Sequence, residues 1–139
     1  MPHEDGKAYA SVVATVSLGG AVCLSLTSKL SSAHENRTGG DVDYEETKYN
    51  VPTRILQEPR SLLITSGNAY DSLLHGVDTV EVDEGLNAET VANWSLLDNS
   101  KVIEGAGGRN VRETRVSLTY RDVLKVSSAA NKVFGALGR

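Results

Sequence analysis

Two alternating rows and one helical stripe stand out along this chain. From Tyr9 to Thr27 it reads YASVVATVSLGGAVCLSLT. Val12, Ala14, Val16 and Leu18 alternate with other residues, and after Gly19-Gly20 so do Val22, Leu24 and Leu26. A period of two marks strands with one face buried. A three-residue loop, Gly19-Gly20-Ala21, would pair Leu18 with Val22, Val16 with Leu24 and Ala14 with Leu26. A two-residue turn would put the apolar rows on opposite faces, so the pattern predicts a hairpin with the longer loop. Near the other end, Arg112 to Arg121 alternates again. Val116, Leu118 and Tyr120 share one face, expected to meet the core; Arg115, Ser117, Thr119 and Arg121 share the other. The period then changes to three and four at Val123, Val126, Ala130, Val133 and Leu137, with Ala129 and Phe134 widening the stripe. That spacing predicts an amphipathic helix over 123–137, capped by Asp122 or Ser127.

Between these ends the pattern is shorter-ranged. Residues 1–8 read as a loose polar arm. Residues 28–41 read as a polar loop, and 42–51 as a strand whose skin carries Asp41, Asp43, Glu45 and Glu46. That cluster suits a charged edge strand better than a cation site. Residues 54–65 read as two strands around Glu58-Pro59, because Pro59 cannot sit inside a central strand. Residues 66–76 fit either a helical turn or an irregular connection, and 77–83 a short strand. Asn87 can cap a helix over 88–97, with Leu86 and Val91 as its hydrophobic staple. Gly105–Gly108 then returns the chain to its last strand. The sum is one α+β domain over residues 1–139: a mainly antiparallel β-sheet, an N-terminal hairpin, one mid-chain helix and a C-terminal helix.

Composition narrows the class. The chain has 139 residues, 40% hydrophobic and 23% charged, which is ordinary for one water-soluble domain. One Trp, one Phe and five Tyr leave the core to Val, Leu and Ala. Cys23 is alone, which excludes an internal disulfide and a cysteine metal site. The start lacks a basic n-region, and no apolar run approaches membrane-spanning length, so no secretory leader and no membrane partner are expected. The net charge of −4 hides an asymmetry: residues 1–100 carry 6 basic and 15 acidic side chains, residues 101–139 carry 8 and 3. Such a split suits an anionic partner at one end, or protomers meeting head to tail.

Candidate chemistry is thin. GAGGRN at 105–110 has the glycines of a phosphate loop but opens a strand rather than a helix, and no Lys-Ser/Thr pair follows. His3, His34 and His75 are scattered, without HExxH or triad-like grouping, so no metal, no cofactor and no catalytic residues are expected. The polar face of the last strand is the remaining candidate. Arg115 and Arg121 flank Ser117 and Thr119, a set that suits phosphate oxygens.

The opening segment YASVVATVSLGGAVCLSL and the closing segment VRETRVSLTYRDVLKVSSAANKVFGAL resemble, in order and pattern, the coat proteins of small single-stranded RNA bacteriophages. That resemblance covers about 45 residues at the two ends of the chain. It implies a non-enzymatic capsid protein found in the virion (otherwise a cytoplasmic one). It implies a dimer whose helices cross between subunits and whose opposite sheet face meets RNA. Arg115, Ser117, Thr119 and Arg121 are then the RNA-contact candidates, and Val126, Ala130, Val133, Phe134 and Leu137 the assembly-interface candidates. Two alternatives stay open: a phage head- or tail-completion ring protein, and a small-ligand-binding domain using Gly105–Gly108.

Overall fold

The computed structural model describes residues 1–6, 8–29 and 54–125. Its elements in order are β1 (Tyr9–Gly19), β2 (Val22–Ser28), β3 (Arg54–Gln57), β4 (Leu62–Ser66), α1 (Asn68–Asp71), β5 (Leu73–Gly76), β6 (Val82–Asp83), a 3-10 turn (Trp94–Leu96), α2 (Ser100–Gly105), β7 (Asn110–Val111) and β8 (Arg115–Val123). The fold is α+β, mostly antiparallel sheet, with two small helices among the described residues. No helix among the described residues is long and apolar enough to cross a membrane. The strand expected over 42–51, its acidic cluster, His34 and most of the helix over 123–137, including all five assembly candidates, lie outside the described residues.

The strands form two three-stranded sheets, ordered β4-β1-β8 and β3-β2-β5, and a two-stranded ribbon, β6-β7. β1 and β2 stand where alternation puts them, yet they do not pair with each other. Both edges of β1 are taken, by β4 (Val16 opposite Leu62) and by β8 (Val16 opposite Leu118). β2 belongs to the other sheet, between β3 and β5. Gly19 makes the crossing possible. Its φ of 78° is left-handed, and a Cβ there would stand 2.4 Å from the Thr114 carbonyl oxygen. Gly20 then donates its N–H to that same oxygen at 2.8 Å. The glycine pair thus turns the chain out of its own sheet rather than back along it.

Register shows which rows face which. Ser17 Oγ donates to Gln57 Oε1 at 2.8 Å, joining β1 to β3 across the space between the sheets. Ser17 and Gln57 are buried, as are Val13, Val22 and Leu24. Ser117 lies opposite Ser17, Thr119 opposite Thr15 and Arg121 opposite Val13, so the polar row of β8 faces this space. The apolar row, expected to meet the core, is the outer one. Val116, Leu118 and Tyr120 are exposed, with Leu62, Ile64, Val12 and Leu18 beside them.

The main apolar core lies on the far side of β2 and β3. It gathers Cys23, Leu56, Leu86, Val91, Trp94, Leu97 and Ile103. The segment expected as a helix over 88–97 covers these residues as turns and a 3-10 turn instead. Asn87 Oδ1 accepts the N–H groups of Glu89 (2.8 Å) and Thr90 (3.1 Å), which closes a turn without starting a helix. Asn93, inside the expected helix, is engaged with β3 instead. Its side chain accepts the Leu56 N–H at 3.0 Å and donates to the Leu56 carbonyl at 2.8 Å, closing the free edge of β3. Gly105–Gly108 ends α2 and leads the chain into β7, with β8 following. Gly107 and Gly108 are left-handed, and Gly108 donates back to the Ile103 carbonyl at 2.8 Å.

Candidate functional site

The first six residues are not a loose arm. His3 and His75 exchange both backbone hydrogen bonds at 2.9 Å, adding the N-terminal segment beside β5. The Gly6 carbonyl accepts the Tyr70 hydroxyl at 3.3 Å, and Lys29 pairs with Glu4. An extended segment puts residues two apart on one side. His3 and Asp5 therefore turn together toward His75, which shares a sheet face with Leu26 and so with Val22 and Leu24. The His3 and His75 ring centroids are 4.6 Å apart. Asp5, its side chain 6% exposed, places Oδ2 3.9 Å from His75 Nε2 and Oδ1 2.5 Å from Arg121 Nη2. The Tyr9 ring stacks on the Arg121 guanidinium at 5.5 Å.

Electrostatics favour an uncharged His75. Burial pushes its pKa below the usual imidazole value, and His3 and Arg121 add to that; Asp5 opposes them without reversing the direction. A neutral imidazole is the form that binds a metal. Two imidazoles and one carboxylate, with other positions open, are the donor set of non-haem iron oxygenase sites. His3, Asp5 and His75 are that set in type and neighbourhood. Their donor atoms do not converge on one point here, and among the described residues no group of three or more His, Cys, Asp or Glu side chains is gathered closely enough to hold a metal ion. Asp5 instead turns onto Arg121, and His3 Nδ1 lies 3.4 Å from the Met1 carbonyl oxygen. The residues present fit a metal in kind, and the Asp5 oxygen nearer His75, Oδ2, is not the one that Arg121 engages.

Six residues before Arg121 on the same strand row, Arg115 donates through Nη2 to Ser17 Oγ (2.8 Å) and Gln57 Oε1 (2.7 Å). Its Nε is buried without a partner, and burial lowers its pKa. Both its acceptors are neutral. A guanidinium held this way favours an incoming anion, which would satisfy the orphaned donor and supply the missing charge. Ser117 and Thr119, between the two arginines, are exposed, so the row is open to solvent there.

Of the RNA-contact candidates, then, Arg121 is drawn to the His3–Asp5–His75 group and Arg115 to the Ser17–Gln57 pair, while Ser117 and Thr119 lie between. Residue patterning alone missed His3, Asp5 and His75 as a group. The available signal was His-x-Asp, two donors on one side of an extended segment, with a third imidazole before Gly76. The Gly105–Gly108 loop borders a cavity of about 250 Å³ lined by Ala21, Leu56, Ile103, Ala106 and Arg109 among others, but not by His75. Cys23 is no nucleophile: burial first, then Asp83, raises its thiol pKa to about 11.

No family model matches the chain. Over 129 residues, 93% of its length, it is 31% identical to a protein of Danio rerio described as "Probable RNA/DNA demethylase ALKBH6". The chain spans about half the length of that relative, 50%. This similarity overturns the resemblance to phage coat proteins, and with it the expectation of a non-enzymatic capsid protein. The relative is by name an enzyme, and the matched region includes nearly all of this chain. Nothing in the match supports a virion location, the completion-ring alternative or a small-ligand domain built on Gly105–Gly108.

Proposed function

We propose that this chain carries the metal site of an iron-dependent oxidative demethylase acting on RNA or DNA. The observation that carries the reading is the gathering of His3, Asp5 and His75 from two places in the sequence onto one end of the inter-sheet space. The similarity to a protein named as a probable RNA/DNA demethylase supports the same chemistry. His3, Asp5 and His75 would hold Fe(II), which when bound supplies the activation of O2. One oxygen atom converts a methyl C–H of the nucleic acid to C–OH. If that methyl sits on nitrogen or oxygen, the product splits into formaldehyde and the unmethylated group. The second oxygen atom and two further electrons require an oxidisable co-substrate. Arg121 beside the metal donors, and Arg115 with its unsatisfied Nε, suit one that bears carboxylate groups. Tyr9 stacked on Arg121 holds the guanidinium at the site.

The test is an anaerobic titration with Fe(II), or with Co(II) as a spectroscopic stand-in. Wild-type protein should take one metal ion, and His3→Ala and His75→Ala should each lose it. A wild-type protein that binds no divalent metal, or variants that bind it unchanged, would overturn the proposal. Formaldehyde release from a methylated oligonucleotide, dependent on O2 and a 2-oxo acid, is the activity expected of the loaded protein.

A further inference from the structure

We propose that Gly76 is the positioning residue that seats His3 beside His75; this rests on the reading of those residues as metal donors. Gly76 ends β5 and is buried. Its φ lies outside the left-handed region, unlike that of Gly19, Gly67, Gly85, Gly107 and Gly108, so its backbone does not require glycine. Space does. A Cβ on Gly76 would stand 3.1 Å from Pro2 Cα and 3.2 Å from Pro2 N. Both are backbone atoms, which cannot swing aside as a side-chain tip would. A glycine inside a strand carries an entropic cost and marks a close backbone approach.

The approach is between the segment that carries two donors and the strand that carries the third. Pro2 crosses over Gly76, and the adjacent pair, His3 and His75, exchanges both backbone hydrogen bonds at 2.9 Å. Pro2 has no N–H, so its crossing leaves no donor unsatisfied. The hydrogen-bond pair is one residue from the contact, so a methyl group at 76 acts as a wedge at the root of the bridge. Donor groups must be held within about 0.5 Å of their working geometry. Lifting the segment by a few tenths of an ångström therefore uses most of that tolerance. Gly6, on the same segment, is the matched control: a Cβ there meets nothing within 4 Å.

The experiment compares wild type, Gly76→Ala and Gly6→Ala, all as the full chain. Amide hydrogen exchange is followed at His3 and His75, with the β2–β5 amides of Ser25 and Thr27 as internal controls, and Ni(II) affinity is measured by calorimetry. In Gly76→Ala, exchange at His3 and His75 should accelerate about 10-fold or more, and Ni(II) affinity should fall about 10-fold, the scale of a displaced supporting group. Ser25 and Thr27 should keep their protection, and Gly6→Ala should match wild type throughout. Wild-type exchange at His3 in Gly76→Ala would overturn the proposal. So would equal loss at Ser25 and Thr27, which is a sheet defect, or an equal effect from Gly6→Ala. If wild type takes no Ni(II), the donor reading falls, while exchange at His3 and His75 still decides whether Gly76 seats the segment.

Discussion

Two aspartate–arginine pairs in this protein look alike in composition and differ in everything that surrounds them. Asp83 has a side chain 4% exposed and is saturated. It accepts Arg112 Nε at 3.1 Å and Nη2 at 2.5 Å, Asn110 Nδ2 at 2.9 Å and the Cys23 N–H at 3.3 Å. Arg112 is in turn held by the Asp78 carbonyl at 2.5 Å, and the Asp83 bond raises its pKa. Every lone pair and proton of consequence has a partner, and the pair rivets β2 to the β6-β7 ribbon. Asp5 is as deeply placed, its side chain 6% exposed, but carries one guanidinium contact and an imidazole 3.9 Å away, too far to hydrogen-bond. An under-satisfied buried carboxylate next to two imidazoles can exchange partners; a saturated one cannot. Saturation, not residue type, separates the fastener from the site.

Three outcomes would break or sharpen that contrast. The largest belongs to the fastener. Asp83→Ala leaves Arg112, its side chain 14% exposed, without its counter-ion and frees the Cys23 N–H. Removing one partner of a buried pair costs about 3–5 kcal/mol, so urea unfolding should show a loss of that order. A loss below about 1 kcal/mol would mean that the hub is not a fastener. The middle effect belongs to the site. Asp5→Ala should weaken Ni(II) binding by at least about 10-fold, a scale that outer-sphere partners alone reach. Arg121 stays partly solvated, so stability should change by less than about 1 kcal/mol. A large stability loss with metal affinity intact would make Asp5 a second fastener. The smallest effect is on pH. His75 has a folded pKa below its unfolded value, so its contribution to stability is complete above about pH 6.5 and lost as pH falls through the folded value. His75→Gln should flatten the melting-temperature profile below about pH 6.5 relative to wild type. An unchanged slope would show that burial of a neutral imidazole is not what this position does.

Local signals carried much of the secondary structure. Alternation located β1, β2 and β8, Pro59 located the break between β3 and β4, and Asn87 marked a turn but not a helix start. The same signals could not choose partners. Val16 and Leu24 alternate as well in a hairpin as in two separate sheets, and it is the pairing of β1 with β4 and β8, and of β2 with β3 and β5, that decides between them. The helix expected over 88–97 failed for a related reason: Asn93 satisfies the edge of β3, a tertiary demand that local periodicity does not register. The donor group was the least legible, because His3 and His75 lie 72 positions apart and neither has a metal-site neighbour in sequence beyond Asp5.

The sequence by itself determined which residues share a face. Arg115, Ser117, Thr119 and Arg121 form one row and Val116, Leu118 and Tyr120 the other, because side chains on a strand alternate whatever the strand packs against. Only the tertiary structure decided which row turns inward. Pairing with β1 aims the polar row at Ser17 and Gln57 and leaves the apolar row exposed. Only it brought His75 to His3, since that meeting depends on a backbone clearance at Gly76 and on the partners β5 and β8 find in space. Periodicity is a property of each strand alone; a site assembled from several strands is a property of their arrangement.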